Sequence, residues 1–236
     1  MPLKGLLFDK DGTLIDFDRT WGPATYETMR VLAAGDRQKF EALMRINQFD
    51  EAERRLLPTS PMVAGSSADY GPLWAQALGR TPGQEFYSEM DLLLEEAGMK
   101  SLAPIHGPAE VVAALKARGL MLGIVTNDSE RSGRNQAEAL GLTRHLDFIA
   151  GYDSGYGPKP APGMASAFIE RLGCAPSEVA VVGDSLHDLH CAKAAGAIAI
   201  LVLTGPLGEA ARPGLEPHAD HVIASIAALP ELVDRL

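Results

Sequence analysis

The chain has 236 residues, enough for one large domain or two small ones and for a core that needs no disulfide or metal staple. Hydrophobic residues make up 46% and charged residues 22%, an ordinary balance for a globular protein, and the formal net charge is −10. An acidic chain is a poor non-specific binder of nucleic acid or of anionic membrane, so neither is expected as a partner.

The chain opens with residues 3–8 (LKGLLF), which read as a short buried strand. Its apolar run is too short for a signal peptide, and no later stretch reaches membrane-spanning length. A cytoplasmic location is the expectation. The two cysteines, Cys174 and Cys191, are too few for a disulfide framework and fall in predicted helical stretches, where buried structural thiols are expected.

A charged, glycine-bearing turn follows the strand at Asp9–Thr13. Residues 17–100 then carry helical periodicity around Tyr26–Ala34, Gln38–Ile46, Tyr70–Leu78 and Phe86–Ala97, broken by Pro58, Pro61, Pro72 and Pro82, with no strand expected. From residue 108 the pattern alternates. Helices are predicted over Pro108–Arg118, Glu130–Leu140, Pro162–Leu172, His187–Ala195 and Ile226–Leu236. Strands are predicted over Leu120–Val125, Phe148–Ala150, Val179–Val182, Ala197–Leu203 and His221–Ile223. Apolar strands separated by helices imply a parallel sheet covered on both faces. The fold class is therefore α/β: a doubly wound, Rossmann-like core of residues 1–16 and 101–236, with an inserted helical domain at 17–100.

Ligands of such sheets bind at the carboxyl ends of the strands. Those ends are polar throughout: Asp9-Lys10-Asp11-Gly12-Thr13, Thr126-Asn127-Asp128, Gly157-Pro158-Lys159-Pro160, and Gly183-Asp184-Ser185 followed by Asp188. Several carboxylates on neighbouring strand ends repel one another unless a cation lies between them, and magnesium prefers such oxygen ligands. Asp9 and Asp184 are the natural carboxylate ligands. Asp11 would offer its backbone carbonyl and keep its side chain for proton transfer. A carboxylate can also attack phosphorus. Lys159 would balance the remaining negative charge, with Thr126 and backbone N–H groups on the phosphoryl oxygens.

These motifs resemble the haloacid dehalogenase superfamily, and within it the phosphoglycolate phosphatase-like group. DKDGT at 9–13 resembles the first motif, Thr126 the second, Lys159 in its K-P-x-P setting the third, and GDSLHD at 183–188 the fourth, followed by the A-x-A-A-G run at Ala192–Gly196. The resemblance implies a magnesium-dependent phosphatase acting on a small phosphate ester, as a monomer or homodimer, with 17–100 as a mobile cap. It implies that Asp9 is the nucleophile and that Asp11 protonates the leaving group and then activates water. Thr126, Lys159, Asn127 and Gly12 would bind the phosphoryl group. The metal would be held at Asp9, Asp11 and Asp184, with Asp188 as an outer carboxylate. A sugar phosphomutase and a non-catalytic phosphoryl- or metal-binding regulator are the alternatives.

Several residues keep two readings. Asn127 fits a phosphate ligand or a turn former. Asp188 fits a helix cap as well as a site carboxylate. Lys10, where the group more often has an apolar residue, should alternate away from Asp9 and Asp11, toward the cap or solvent, with no catalytic role. His187 reads as a helix-surface residue, and His190, His218 and His221 show no ligand spacing. Gly205 and Gly208 read as a turn between core elements. In the insertion, nine basic residues against thirteen acidic ones give no basic funnel. Phe17, Arg19 and Trp21 could line a cleft, or the aromatics could pack the cap base while Arg19 pairs with Asp16 or Asp18. Arg45, Arg54 and Arg55 are further candidates.

Overall fold

The computed structural model describes residues 2–63 and 65–236. The chain falls into two compact units, one running to Asp16 and resuming at Pro104–Leu236, the other spanning Phe17–Ala103. The first unit begins with β1 (Gly5–Phe8).

The second unit contains α1 (Phe17–Ala33), α2 (Arg37–Ile46), β2 (Phe49–Asp50), β3 (Arg55–Leu56), α3 (Ser67–Leu78) and α4 (Gln84–Lys100). Helix α1 begins nine residues before the predicted start and runs through Pro23. Its buried positions Phe17, Trp21, Ala24 and Met29 share one face, and packing that face outweighs the hydrogen bond that proline removes. Pro72 likewise lies inside α3 without breaking it. The antiparallel pair β2–β3 was not expected; two residues per strand are too few to show an alternating pattern. Trp21, Leu43, Tyr70, Trp74, Phe86 and Met90 belong to the apolar cluster of this unit. Its buried Asn47 is fully used: its amide accepts from Trp74 Nε1 at 2.9 Å and donates to the Leu43 carbonyl at 2.8 Å.

The first unit resumes with α5 (Pro108–Lys116), β4 (Met121–Val125), α6 (Glu130–Ala139), β5 (Phe148–Ala150), α7 (Gly163–Leu172), β6 (Val179–Gly183), α8 (Leu186–Ala195), β7 (Ile198–Val202), α9 (Arg212–Leu215), β8 (His221–Ile223) and α10 (Leu229–Val233). The predicted terminal helix at Ile226–Leu236 is a 3₁₀ turn at Ile226–Ala228 followed by the short α10, with Pro230 in its first turn, where a missing N–H is harmless. Cys174 lies just past the αL cap Gly173, outside a helix, and is half-buried.

Among the described residues the sheet runs in the order β5-β4-β1-β6-β7-β8, with parallel pairing throughout. The chain moves outward from β1 through β4 to β5, then crosses back to β6. The reversal of direction falls at β1, the position at which sheets of this kind bind their ligands. Strand alternation divides the core. Leu6, Phe8, Ile124 and Val182 pack with Val112, Leu115 and Leu229 on one face. Leu7, Val125, Val181 and Leu201 pack with Met164, Phe168 and Leu189 on the other. Covering both faces is the arrangement a parallel sheet requires.

Leu7 is fully buried at the centre of this sheet. The variant Leu7→Ala should lower the unfolding free energy by about 2–5 kcal/mol, the usual range for a cavity of that size. Urea unfolding of parent and variant, followed by far-UV circular dichroism, measures it.

Candidate active site

β1, β4 and β6 end side by side, and the loop after β5 folds back over the same edge. Asp9 extends β1 by one residue, its N–H donating to the Val182 carbonyl at 2.8 Å. The chain then turns sharply: the Lys10 carbonyl accepts from Leu14 N at 2.8 Å and Ile15 N at 3.0 Å. Gly12 sits at φ +76°, and a Cβ there would lie 2.5 Å from an Asp184 oxygen, so glycine is required twice over.

Lys159 is the hinge of the site. Its buried ammonium donates to Asp9 Oδ1 and to Asp188 Oδ1, each at 2.6 Å. Burial works against its charge, but Asp188 and Asp9 outweigh burial and raise its pKa. Asn127 holds the lysine's backbone: its amide donates to the Lys159 carbonyl at 2.9 Å and accepts from the Lys159 N–H at 2.8 Å. Thr126 is buried beside it, its hydroxyl accepting from Asp128 N at 3.1 Å.

Asp188 caps a helix and also faces the buried lysine. It closes the capping box of α8, its Oδ2 accepting from the Ser185 N–H at 3.0 Å and the Ser185 hydroxyl at 2.6 Å, while Oδ1 takes Lys159. Carboxylate oxygens of Asp9, Asp184 and Asp188 lie within 4.8 Å of one another, a donor set suited to a hard divalent cation. Burial, partly offset by Lys159 and reinforced by Asp188 and Asp11, pushes Asp9 up to about 7. Asp184 is raised well above the usual carboxylate range, first by burial and then by Asp9 and Asp188. These acids repel one another, and a cation is the partner that would relieve them.

Lys10 departs from expectation. It does not turn away from Asp11: it is 1% exposed, with its ammonium 2.8 and 2.7 Å from the two oxygens of Asp11 and 3.2 Å from Asp128. Strand alternation fails here because the chain has left the strand, and a four-carbon stem lets the charge reach back to its neighbour. Burial opposes the charge, yet Asp11 and Asp128 keep the Lys10 pKa above the ordinary lysine value.

Other residues escaped the sequence reading. A Cβ on Gly205 would lie 2.1 Å from Asp184 Oδ2, so the glycine makes room for that carboxylate. Thr204 donates to the Gly12 carbonyl at 2.6 Å and ties this loop to the first motif. Only three-dimensional proximity shows either. Cys191 is buried in α8, and burial pushes its thiol up to about 11, which keeps it protonated and inert. His187 is half-buried on α8, while exposed His190 and His218 face each other at 3.3 Å. In the insertion, Phe17 and Trp21 are buried in the cap's own cluster, Arg19 and Arg45 are exposed, and Arg54 lies over the Tyr26 ring at 3.7 Å.

A family model for haloacid dehalogenase-like hydrolases matches residues 3–196. The chain belongs to this family. Among curated haloacid dehalogenase-like relatives it is similar to a probable phosphatase, IndB, of Dickeya dadantii, 30% identical over 206 residues that make up 85% of this chain and 81% of that protein. It is also similar to a phosphoglycolate phosphatase of Escherichia coli, 39% identical over 88 residues, 37% of this chain and only 35% of that enzyme. A solved structure assigned as a β-phosphoglucomutase of Thermotoga maritima superposes with a TM-score of 0.66 at 20% identity, covering 99% of this chain and all of that one, a likeness of fold. Among the described residues no helix is long and apolar enough to cross a membrane.

Two outcomes follow from the electrostatics and packing. An acid raised in the folded state from 3.8 to about 7 contributes stability below pH 4 and loses it as pH rises toward 7. Without divalent cation, Asp9→Asn should therefore become progressively more stable than the parent between about pH 4 and 7, and adding the cation should narrow or reverse the gap; thermal unfolding across pH tests both. Gly205→Ala should displace the Asp184 carboxylate and weaken cation binding about tenfold or more, read by calorimetric titration.

Proposed function

We propose that this haloacid dehalogenase-like hydrolase is a magnesium-dependent phosphatase of small phosphomonoesters, working through a phosphoryl group carried on Asp9. The observation that carries the reading is the clustering of Asp9, Asp184 and Asp188 around a buried Lys159 at the switch point of the sheet. The 30% identity to a protein described as a phosphatase, across most of both chains, supports it.

Asp9 is the nucleophile and would bond to phosphorus through one carboxylate oxygen. Lys159 orients that carboxylate and offsets charge on the phosphoryl oxygens, held in place by Asp188 and Asn127. The Thr126 hydroxyl accepts from Asp128, which leaves its own proton to donate to a phosphoryl oxygen. Gly12 keeps the first-motif backbone close to the same oxygens. Asp11 gives a proton to the leaving alcohol and takes one from the attacking water. Asp9 and Asp184, with the Asp11 backbone carbonyl, would hold the magnesium, and Asp188 would stand behind them. The ion supplies charge compensation between nucleophile and phosphate.

Phosphoglycolate is the first substrate to try, from the partial match to phosphoglycolate phosphatase. A cytoplasmic enzyme fits two free cysteines. A phosphomutase on the same scaffold is the second reading, favoured only by the fold likeness to the Thermotoga protein.

Phosphate release from a panel of phosphomonoesters, with magnesium and with chelator, tests the proposal. Release should require magnesium and fall by at least about a thousandfold in Asp9→Asn, as loss of a nucleophile does. Turnover that persists in Asp9→Asn would sink the covalent mechanism. A requirement for a sugar bisphosphate would select the mutase.

A further inference from the structure

The scheme above uses Lys159 and gives Lys10 nothing to do, yet Lys10 is the more deeply buried of the two ammonium groups. Removing a lysine from water is unfavourable unless partners replace the solvent. Its partners here are specific. The ammonium touches both oxygens of Asp11, at 2.8 and 2.7 Å, and Asp128 Oδ2 at 3.2 Å. Asp128 is itself fixed: its Oδ1 accepts from Ser129 N at 2.7 Å and its Oδ2 from the Ser132 hydroxyl at 2.6 Å, both from the start of α6. Its N–H in turn donates to Thr126. The sequence Asp11–Lys10–Asp128–Ser132 is thus a continuous polar chain from the turn after β1 to the helix after β4. An aspartate in a turn has free rotamers, and this chain selects one.

We propose that Lys10 is a positioning residue for Asp11, with Asp128 as its anchor, so that the carboxyl group stands where the oxygen of a leaving alcohol needs a proton. This deepens the reading of Asp11 as the proton donor and depends on it. In that step the Asp9 oxygen–phosphorus bond forms and the phosphorus–oxygen bond of the ester breaks. The electron pair goes to the leaving oxygen, which takes the proton carried until then by the neutral Asp11 carboxyl, and the carboxylate so formed becomes the partner of the Lys10 ammonium. A buried cation that only stabilised the fold would affect all esters alike. A cation that positions the proton donor matters more when the leaving group is a strong base.

The experiment compares two substrates on the full-length, magnesium-loaded protein: an alkyl phosphate, whose alkoxide needs the proton, and 4-nitrophenyl phosphate, whose phenolate leaves without one. Lys10→Met keeps length and volume while removing the charge. The ratio of kcat/KM for the alkyl ester to that for the aryl ester should fall about tenfold or more, within the range that acid–base catalysis supplies. Asp128→Asn, at the partly exposed end of the chain, should lower the same ratio by a smaller factor, and it serves if Lys10→Met does not fold. In an Asp11→Asn background the Lys10 substitution should change the ratio no further. An equal loss on both esters, or a rise in the ratio, overturns the assignment of Lys10 while leaving the phosphatase reading intact. If the parent hydrolyses neither ester nor any other, the phosphatase reading fails, and the role of Lys10 falls with it.

Discussion

The constraint on which this site depends is the packing of like charge at one edge of a parallel sheet. Asp9, Asp184 and Asp188 arrive from two adjacent strand ends, within 4.8 Å of one another, with Asp9 and Asp188 buried and Asp184 half-buried. Such a group is stable only with positive charge among it. Lys159 supplies one unit by bridging Asp9 and Asp188, while burial and then the neighbouring carboxylates hold Asp184 above the usual carboxylate range, and burial, against Lys159, does the same for Asp9. The remaining deficit is what a divalent cation would fill. The same property that makes the edge costly to fold favours positively charged partners there.

The surroundings serve that edge. Both faces of the sheet are sealed by helices, so β1, β4 and β6 hold their ends in fixed register. Gly12 and Gly205 make room for Asp184 from two sides, and Thr204 ties their loops together. Asn127 sets the Lys159 backbone, and the capping box of α8 sets Asp188. Lys159 and Asp188 are thus each held by an uncharged neighbour as well as by each other.

A second cation sits beside the first. Lys10 and Lys159 are both buried, and both bridge two carboxylates, but they divide the work. Lys159 joins Asp9 to Asp188, while Lys10 joins Asp11 to the loop after β4. With two such bridges, Asp9 and Asp11, two residues apart in sequence, occupy separate electrostatic settings. Separate settings allow two otherwise identical side chains to take different protonation states.

The alternation of apolar strands and amphipathic helices was enough to read a doubly wound parallel sheet, because both faces of each strand must be covered. The polar strand ends were enough to single out Asp9, Thr126, Lys159, Asp184 and Asp188 as candidates, and the fold brings them to one edge of the sheet. What alternation misread, it misread where the chain leaves regular structure. Lys10 lies in a turn, so its side chain followed charge and not strand periodicity. In the insertion, the start of α1 and the passage of Pro23 and Pro72 through helices were decided by side-chain packing, which local propensity does not contain. Gly205, Thr204 and Asp128 came to the site through contacts between segments far apart in the chain, or through a partner that only folding supplies. By itself, then, the sequence determined the order of the strands and helices of the α/β unit and the polar residues at its strand ends. Only the tertiary structure decided which carboxylate each buried lysine faces, because distances between strand ends follow from sheet order and register.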